Sequence, residues 1–156
     1  MEEDLQEKFA DAHHAVTISR YNLQHLRARF PESAERMRLV YNGLELARFP
    51  FVPQRDQDLR LLSVGRLVEK KGFPVLLRAA ALLRRQRVDF RLRIVGTGPD
   101  EADLKRLAVG LALEDSVEFV GPLPHEELIP LFREADLFVL ASVVASDGDR
   151  DGLPNV

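Results

Sequence analysis

The strongest constraint on the fold is a regular alternation of short apolar runs with helical patterns, which begins near residue 59. Four runs have the length and composition of buried strands: residues 59–64, 90–95, 117–120 and 136–141. Each interval between them contains a helical pattern. Because strands joined by helices of this length form right-handed parallel crossovers, the sequence predicts an α/β fold with a doubly wound, Rossmann-like parallel sheet.

The three helical patterns differ in how much apolar surface they carry. Two of them have apolar residues at the i, i+3, i+4, i+7 spacing of one helix face: Leu104, Leu107, Ala108 and Leu111, then Leu128, Leu131, Phe132 and Ala135. Residues 73–86 are apolar on most faces, and Pro74 suits the first turn of a helix. We therefore expect two amphipathic helices and one that is largely buried.

The first 54 residues follow a different pattern. Residues 15–19 and 38–41 look like strands on either side of a helix from about Arg20 to Phe30. The prolines in residues 49–53 favour an extended linker. We expect residues 1–54 to end one domain and link it to a second domain at residues 55–156.

The last ten residues, 147–156, read as a loop that leads into a helix, with Pro154 suited to its first turn. The helix itself is not in the sequence, and four strands make an incomplete doubly wound sheet. We interpret the chain as an internal fragment of a longer protein.

Charge and composition exclude several classes of function. The net charge is −3, so the basic excess typical of nucleic-acid binders is missing, and we expect no nucleic-acid partner. No apolar run approaches the roughly 18 residues of a membrane span, and the N-terminus is acidic where a signal peptide is basic. The sequence contains no cysteine, which excludes disulfides and thiolate metal sites and fits a reducing compartment. These features predict a cytoplasmic protein.

Two cations follow the first of the four strands. Arg66 follows it after one glycine, Gly65, and Lys71 precedes Gly72 at the start of the next helix. In open α/β sheets, ligands bind outside the carboxyl ends of the strands, beside helix N-termini that favour anions. Arg66 and Lys71 could therefore hold one diphosphate, or they could be two solvated surface cations. Lys70 could take the place of Lys71, which we prefer because it is nearer the helix.

Two further turns end the next strands at the same edge. Gly96 and Gly98 would let the backbone approach a ligand, although, taken alone, these residues fit a plain strand-to-helix turn capped by Asp100 better. Their spacing lacks the third glycine of a dinucleotide fingerprint. Residues 121–124 form a proline-stiffened turn that could face a planar base or simply start a helix, and His125 fits a helix cap better than a catalytic base.

Three aspartates near the end of the sequence, Asp147, Asp149 and Asp151, alternate as in a calcium-binding loop. An EF-hand loop follows a helix, whereas the segment before these residues reads as a buried strand. We interpret residues 147–151 as a hydrophilic loop and expect no metal site.

Five motifs occur in one order: GRLVEKKG at 65–72, IVGTGP at 94–99, VEFVGPLPHEEL at 117–128, FREADLFVLAS at 132–142 and DGDRDGLPNV at 147–156. Together they resemble the retaining, nucleotide-sugar-dependent glycosyltransferases of the family-4 type, which have the GT-B fold of two facing Rossmann-like domains. The segments ADAHHAVTISRYN and VYNGLELARF near the start look like the end of the acceptor domain and the interdomain connection. The resemblance implies a remnant of the N-terminal domain followed by an incomplete C-terminal donor-binding domain.

The resemblance also implies roles for particular residues. Five would bind the donor, the first two at the diphosphate, the third along the donor cleft and the last two against the nucleobase: Arg66, Lys71, Gly98, Leu123 and Pro124. The family carries an acidic pair eight residues apart, of which the first contacts the donor sugar and the second the ribose. Asp151 stands at the first position, where glutamate is usual, and is the candidate catalytic residue.

The activity implied by the resemblance is that of a retaining hexosyltransferase. It would move a sugar from a nucleoside diphosphate sugar to a glycan or lipid-linked acceptor in cell-surface polysaccharide synthesis, without a cofactor or a metal. Any peripheral membrane association would involve parts outside the sequence, and we expect residues 1–156 alone to be inactive. Two alternatives are a sugar-nucleotide epimerase, whose acid-base carboxylates are not identifiable here, and a degenerate module that binds nucleotide sugar or a partner protein without turnover.

Overall fold

The structure, a computed structural model, describes residues 2–50 and 59–156. The chain divides into two compact units, of which the first extends to Leu44 and includes residues 152–155. The second unit comprises Glu45–Asp151 and Val156. The predicted linker at residues 49–53 and the boundary after residue 54 fall mainly on residues outside those described.

The first unit contains a small parallel sheet. Its elements are α1 (Glu2–Asp11), β1 (Ala15–Thr17), α2 (Arg20–Arg29), a 3-10 helix (Pro31–Arg36) and β2 (Met37–Leu39). The strands pair in parallel with Ala15 opposite Met37. The predicted strand at residues 15–19 ends early because Ser19 is the N-cap of α2, where its Oγ accepts a hydrogen bond of 3.1 Å from the Asn22 amide.

The second unit is built on a four-stranded parallel sheet. Its elements are a 3-10 helix (Leu46–Arg48), β3 (Leu59–Val64), a 3-10 helix (Glu69–Lys71), α3 (Phe73–Arg85), β4 (Phe90–Val95), α4 (Glu101–Gly110), β5 (Val117–Gly121), α5 (His125–Glu134) and β6 (Leu137–Phe138). The strand order is β5-β4-β3-β6. The chain therefore moves outward from β3 to β5 and returns to the other side of β3, as do the first four strands of the Rossmann order 3-2-1-4-5-6. The predicted α/β, doubly wound fold is confirmed.

Helices cover both faces of this sheet. Successive residues of a strand point to opposite faces, and β3 follows this rule, since Leu61 packs with α3 and α4 whereas Leu62 and Val64 pack with α5. The larger core lies on the α3 and α4 side and includes Leu77 and Leu92, which are fully buried. This packing fixes the strand ends that carry the predicted site residues.

The prediction that the helix at residues 73–86 is largely buried is wrong for one of its faces. Phe73, Leu76 and Leu77 are buried against the sheet, but Val75 and Leu82 are exposed. A single layer of helix presents one side to the sheet. The apolar residues of α3 extend further around the helix than the sheet can cover.

The last strand is shorter than the predicted run at residues 136–141, because β6 includes only Leu137 and Phe138. Asp136 serves as an anchor instead: its carboxylate accepts hydrogen bonds of 2.8 Å from the amide of Arg60 and of 3.0 and 3.2 Å from the guanidinium. The Asp136 amide in turn donates to the carbonyl of Arg60 at 2.8 Å. This pair joins β6 to β3 at the start of both strands.

We expect Asp136→Asn to lower the free energy of unfolding by about 1–2 kcal/mol at pH 7, because charge-assisted bonds to a nearly buried carboxylate are lost. The side-chain hydrogen bonds of Arg60 hold the pKa of Asp136 below its usual value of 3.8, its amide adds to this and partial burial opposes it. The stabilisation is therefore present above pH 4 or so and is lost as pH falls through the lowered pKa. Urea unfolding from pH 7 to pH 2 should show the two proteins converging in acid. The exposed Asp115→Asn is the control, and a difference that persists at low pH would contradict the assignment.

Candidate functional site

The candidate site lies at the carboxyl ends of β3 and β6. The strand order reverses between them, since β4 and β5 lie on one side of β3 and β6 lies on the other. In open α/β sheets such a reversal marks the crevice in which ligands bind. Residues 65–72 follow β3, and residues 139–151 follow β6. We call residues 142–151 the acidic loop, after its aspartates Asp147, Asp149 and Asp151.

A close approach of two backbone segments brings these connections together. Gly72 adopts φ +65° between the 3-10 helix Glu69–Lys71 and α3, and a Cβ atom there would lie 1.8 Å from the carbonyl oxygen of Ala141. Only glycine fits this contact without a shift of the backbone. The 3-10 helix is thereby held beside the start of the acidic loop.

Lys71 and Asp151 form the central ion pair of the site. Lys71 Nζ lies 3.0 Å from Oδ1 and 2.9 Å from Oδ2 of Asp151, and the two side chains are only 14% and 12% exposed. The aliphatic part of Lys71 lies over Gly65, where an added Cβ would be 3.6–3.8 Å from it. Ser142 Oγ donates a further hydrogen bond of 2.8 Å to Asp151 Oδ2. Two residues predicted to belong to one site are thus in direct contact.

The environment of Asp151 keeps its carboxyl group ionised. Burial by itself raises the pKa of Asp151, but the hydrogen bonds from Lys71 and Ser142 outweigh burial, and the pKa is lowered from its usual value. A carboxylate of this kind accepts hydrogen bonds and balances positive charge at neutral pH. It has no proton to donate as a general acid.

The two residues before Lys71 also contact the acidic loop. Lys70 Nζ lies 2.8 Å from Asp149 Oδ2. The carboxylate of Glu69 accepts hydrogen bonds from the amide of Ser146 at 3.0 Å and from its hydroxyl at 2.9 Å. All three residues of the 3-10 helix therefore bind the same loop.

Arg66 differs from both lysines because its side chain is exposed and makes no hydrogen bond or ion pair with the other described residues. It still faces the acidic loop. The hydrogen bond from Lys70 lowers the pKa of Asp149, and the charge of Arg66 contributes in the same direction. The guanidinium of Arg66 is therefore available to an incoming anion.

Backbone contacts within the protein leave no space for a side chain at positions 96 and 98, so both must be glycine. A Cβ at Gly98 would lie 2.2 Å from the carbonyl oxygen of Leu67, and one at Gly96 would lie 2.0 Å from that of Gly65. The segment after β4 therefore packs directly under the segment that carries Arg66. Asp100 is the N-cap residue of α4, but its side chain makes no capping hydrogen bond.

The turn after β5 contributes one side chain to the core and exposes another at the carboxyl edge of the sheet. Leu123 is half-buried against the cluster that contains Leu62, Val64 and Val95. Pro124 is exposed at the N-cap of α5, and His125 is the first residue of that helix. The predicted helix start is therefore observed at this turn.

The predicted site residues follow four neighbouring strands in spatial order. The turn with Leu123 and Pro124 follows β5, Gly98 follows β4, Arg66 and Lys71 follow β3, and Asp151 follows β6. Adjacent strands are spaced by about 4.8 Å, so the row extends about 14 Å along the sheet edge. Arg66, Lys71 and Asp151 form one end of the row, and the Leu123–Pro124 turn forms the other.

Sequence reasoning missed three residues of this site: Ser142, which binds Asp151, and the Glu69–Ser146 pair. Ser142 follows β6 at the carboxyl edge of the sheet, where polar side chains gather, and that position was a usable signal. Within the described residues, no three His, Asp or Glu side chains are grouped so that they could hold a metal ion. Among the helices that the structure describes, none is both long enough and apolar enough to cross a bilayer.

Comparison with known proteins places these features in a family. Residues 47–154 match the family described as glycosyl transferases group 1. The amylovoran biosynthesis glycosyltransferase AmsK of Erwinia amylovora is 42% identical over 124 residues, which are 78% of this chain and 30% of AmsK. The putative colanic acid biosynthesis glycosyltransferase WcaL of Escherichia coli K12 is 39% identical over 122 residues, 77% of this chain and 30% of WcaL.

A solved structure shows the same fold. HepE of Anabaena, crystallised with UDP and glucose, superposes with a TM-score of 0.66 at 21% identity over 84% of this chain and 38% of HepE. The chain spans about a third of the length of these proteins. The match to the family over most of the sequence, the relatives of about 40% identity and the parallel sheet in Rossmann order lead to one conclusion: the chain belongs to the group 1 glycosyltransferases and forms part of their GT-B fold.

Proposed function

We propose that the protein containing this chain is a retaining glycosyltransferase, a hexosyltransferase, that uses a nucleoside diphosphate sugar. Residues 55–156 would belong to its donor-binding domain, and residues 1–54 would end its acceptor domain and lead into the linker. The observation that carries this proposal is the cluster at the β3–β6 crevice, where Arg66, Lys71 and the ionised Asp151 come together.

The two cations suit a diphosphate leaving group. An ammonium group has three N–H donors, and Lys71 directs two of its contacts to Asp151, so one donor remains for a phosphate oxygen. The guanidinium of Arg66 is exposed and offers forked hydrogen bonds. Fixed positive charge at the leaving group stabilises the negative charge that develops there as the bond to the sugar breaks.

Asp151 would serve as an acceptor for hydroxyl groups of the donor sugar. Its lowered pKa supports this role, because an ionised carboxylate accepts hydrogen bonds over the whole neutral range. Ser142 holds one of its oxygens, and Lys71 balances its charge, so a neutral sugar could approach without an unpaired buried charge.

The opposite end of the row would take the nucleoside. The whole row is about 14 Å long, which suits an elongated ligand. The base would lie against Leu123 and Pro124, and the part of the ligand that connects it to the diphosphate would lie along Gly98. Gly98 has no side chain and packs closely against the Leu67 backbone, which supports a ligand surface formed by the main chain at this position. The exposed Pro124 ring and the half-buried Leu123 would give a base an apolar surface.

The acceptor and the process are inferred from the relatives. The names of AmsK and WcaL point to amylovoran and colanic acid biosynthesis, which supports a role in cell-surface polysaccharide synthesis on a glycan or lipid-linked acceptor. Lack of cysteine supports a cytoplasmic location. Any peripheral membrane association would involve parts outside this chain.

A donor panel tests the proposal on the full-length protein. UDP, GDP and ADP sugars are each incubated with the enzyme, and the free nucleoside diphosphate is measured. We expect release from one base class, and NMR of the product should show the anomeric configuration of the donor. Binding without release would favour the degenerate binding module. An inverted product would overturn retention, and a complete lack of donor binding would overturn the site.

A further inference from the structure

We propose that Glu69 and Lys70 are positioning residues that hold the acidic loop, and with it Asp151, over the diphosphate site. The inference rests on the proposed function for the role of Asp151. It assigns a role to Glu69 and Lys70, two charged residues of the GRLVEKKG motif that have no donor-binding role of their own.

The first argument is the register of the contacts. Three consecutive residues bind the loop at three successive points: Glu69 at Ser146, Lys70 at Asp149 and Lys71 at Asp151. A 3-10 helix has about three residues per turn, so its side chains leave the axis in three directions. Contacts in three directions oppose both sliding and pivoting of the loop.

The main chain adds a fourth contact and makes the loop a unit. The amide of Val143 donates to the carbonyl oxygen of Lys70 at 2.9 Å. Inside the loop, the amide of Ala145 donates to the carbonyl oxygen of Asp149 at 2.8 Å, and the amide of Asp149 donates to Asp147 Oδ1 at 2.9 Å. A restraint at Ser146 or Asp149 is therefore transmitted to the adjoining residues up to Asp151.

The second argument is the orientation of Lys70. Its side chain is 20% exposed, and its Nζ lies 2.8 Å from Asp149, which is itself 53% exposed. Lys70 is thus directed along the loop, whereas Lys71 is directed at Asp151. If Lys70 bound the diphosphate itself, its charge would be needed at position 70. If it positions the loop, the charge is needed only within the pair.

Exchanging the charges of the Lys70–Asp149 pair distinguishes these two roles. In the full-length protein we compare Lys70→Asp, Asp149→Lys and the double variant that carries both changes. Hydrogen exchange of peptides from residues 142–151, measured without any ligand, reports the loop directly. In each single variant positions 70 and 149 carry like charges, so we expect the loop amides to exchange about two- to tenfold faster than in the wild type. In the double variant the charges are opposite again, and we expect the exchange rate to return toward the wild-type value. The same reversal in the exposed Lys8–Asp4 pair of α1 is the matched control.

Glu69→Ala is the second test, because it removes both acceptors of Ser146 without introducing a like charge. We expect exchange in the loop to rise by about two- to tenfold, given two charge-assisted bonds at an exposed site. Asp149→Asn is a milder variant for the case in which a reversed charge prevents folding. Unchanged exchange in both Glu69→Ala and Asp149→Asn would overturn the proposal.

Turnover with the active donor gives the readout that distinguishes positioning from donor contact. Positioning predicts that the single reversals lower kcat more than they raise the KM for donor, and that the double variant recovers. A double variant that folds, protects the loop and still has a raised donor KM would assign Lys70 to the diphosphate and overturn the proposal. If no donor is turned over, the proposed function fails, while the exchange measurements still decide whether Glu69 and Lys70 hold the loop.

Discussion

Gly72→Ala is expected to lower the free energy of unfolding of the full-length protein by about 2–5 kcal/mol, the combined effect of a left-handed conformation and an overpacked contact. The added Cβ would lie 1.8 Å from the carbonyl oxygen of Ala141, so either the 3-10 helix or the start of the acidic loop must move. Because that contact holds Lys71 beside Asp151, we expect donor binding to weaken as well. Urea unfolding followed by circular dichroism measures the change.

Gly148→Ala separates the two causes. Gly148 also has a positive φ, +84°, but no heavy atom lies within 4 Å of the position of its Cβ. It should therefore carry only the conformational cost of about 1–2 kcal/mol. Equal destabilisation by the two substitutions would show that the approach of Ala141 to Gly72 is not the constraint described above.

The sheet was predictable because its signals are local. The β3 and β4 boundaries follow from six-residue runs that are rich in apolar residues and are each followed by a glycine. The limits of β6 and α3 were not predictable in the same way. The pairing of Asp136 with Arg60 joins residues 76 positions apart, and the outer face of α3 is exposed because a helix in a single layer turns only one side to the sheet.

The candidate site was predictable in its parts but not in its contacts. The resemblance to a known family assigned roles to Arg66, Lys71 and Asp151, and the strand order explains why they share one edge. The Lys71–Asp151 pair joins residues 80 positions apart, and no periodicity encodes such a contact. The role of Glu69 was missed for the same reason, since its partner Ser146 is 77 positions away.

Lys71→Ala is expected to lower kcat/KM for the active donor by about ten- to 150-fold. A charge-assisted hydrogen bond contributes roughly 1.5–3 kcal/mol, and each 1.4 kcal/mol or so is a tenfold change in rate. The substitution also leaves Asp151 without its main counter-charge, and burial then acts to raise the pKa of its carboxyl group. We therefore expect the acid limb of the pH–rate profile to move to higher pH in Lys71→Ala.

Arg66→Ala should lower kcat/KM for the donor by about ten- to a hundredfold from the same contributions. The acid limb of the pH–rate profile should not shift, because Arg66 does not contact Asp151.

If both cations hold one diphosphate, the effects of Arg66→Ala and Lys71→Ala should not be additive in the double variant, because residues that share a binding partner are energetically coupled. Lys105→Ala, which removes an exposed cation paired with Glu101 on α4, is the control. Lys70 does not serve that purpose, since it pairs with Asp149. Near-normal kcat/KM in both Arg66→Ala and Lys71→Ala, with the fold intact, would remove the diphosphate from this crevice and favour the degenerate binding module.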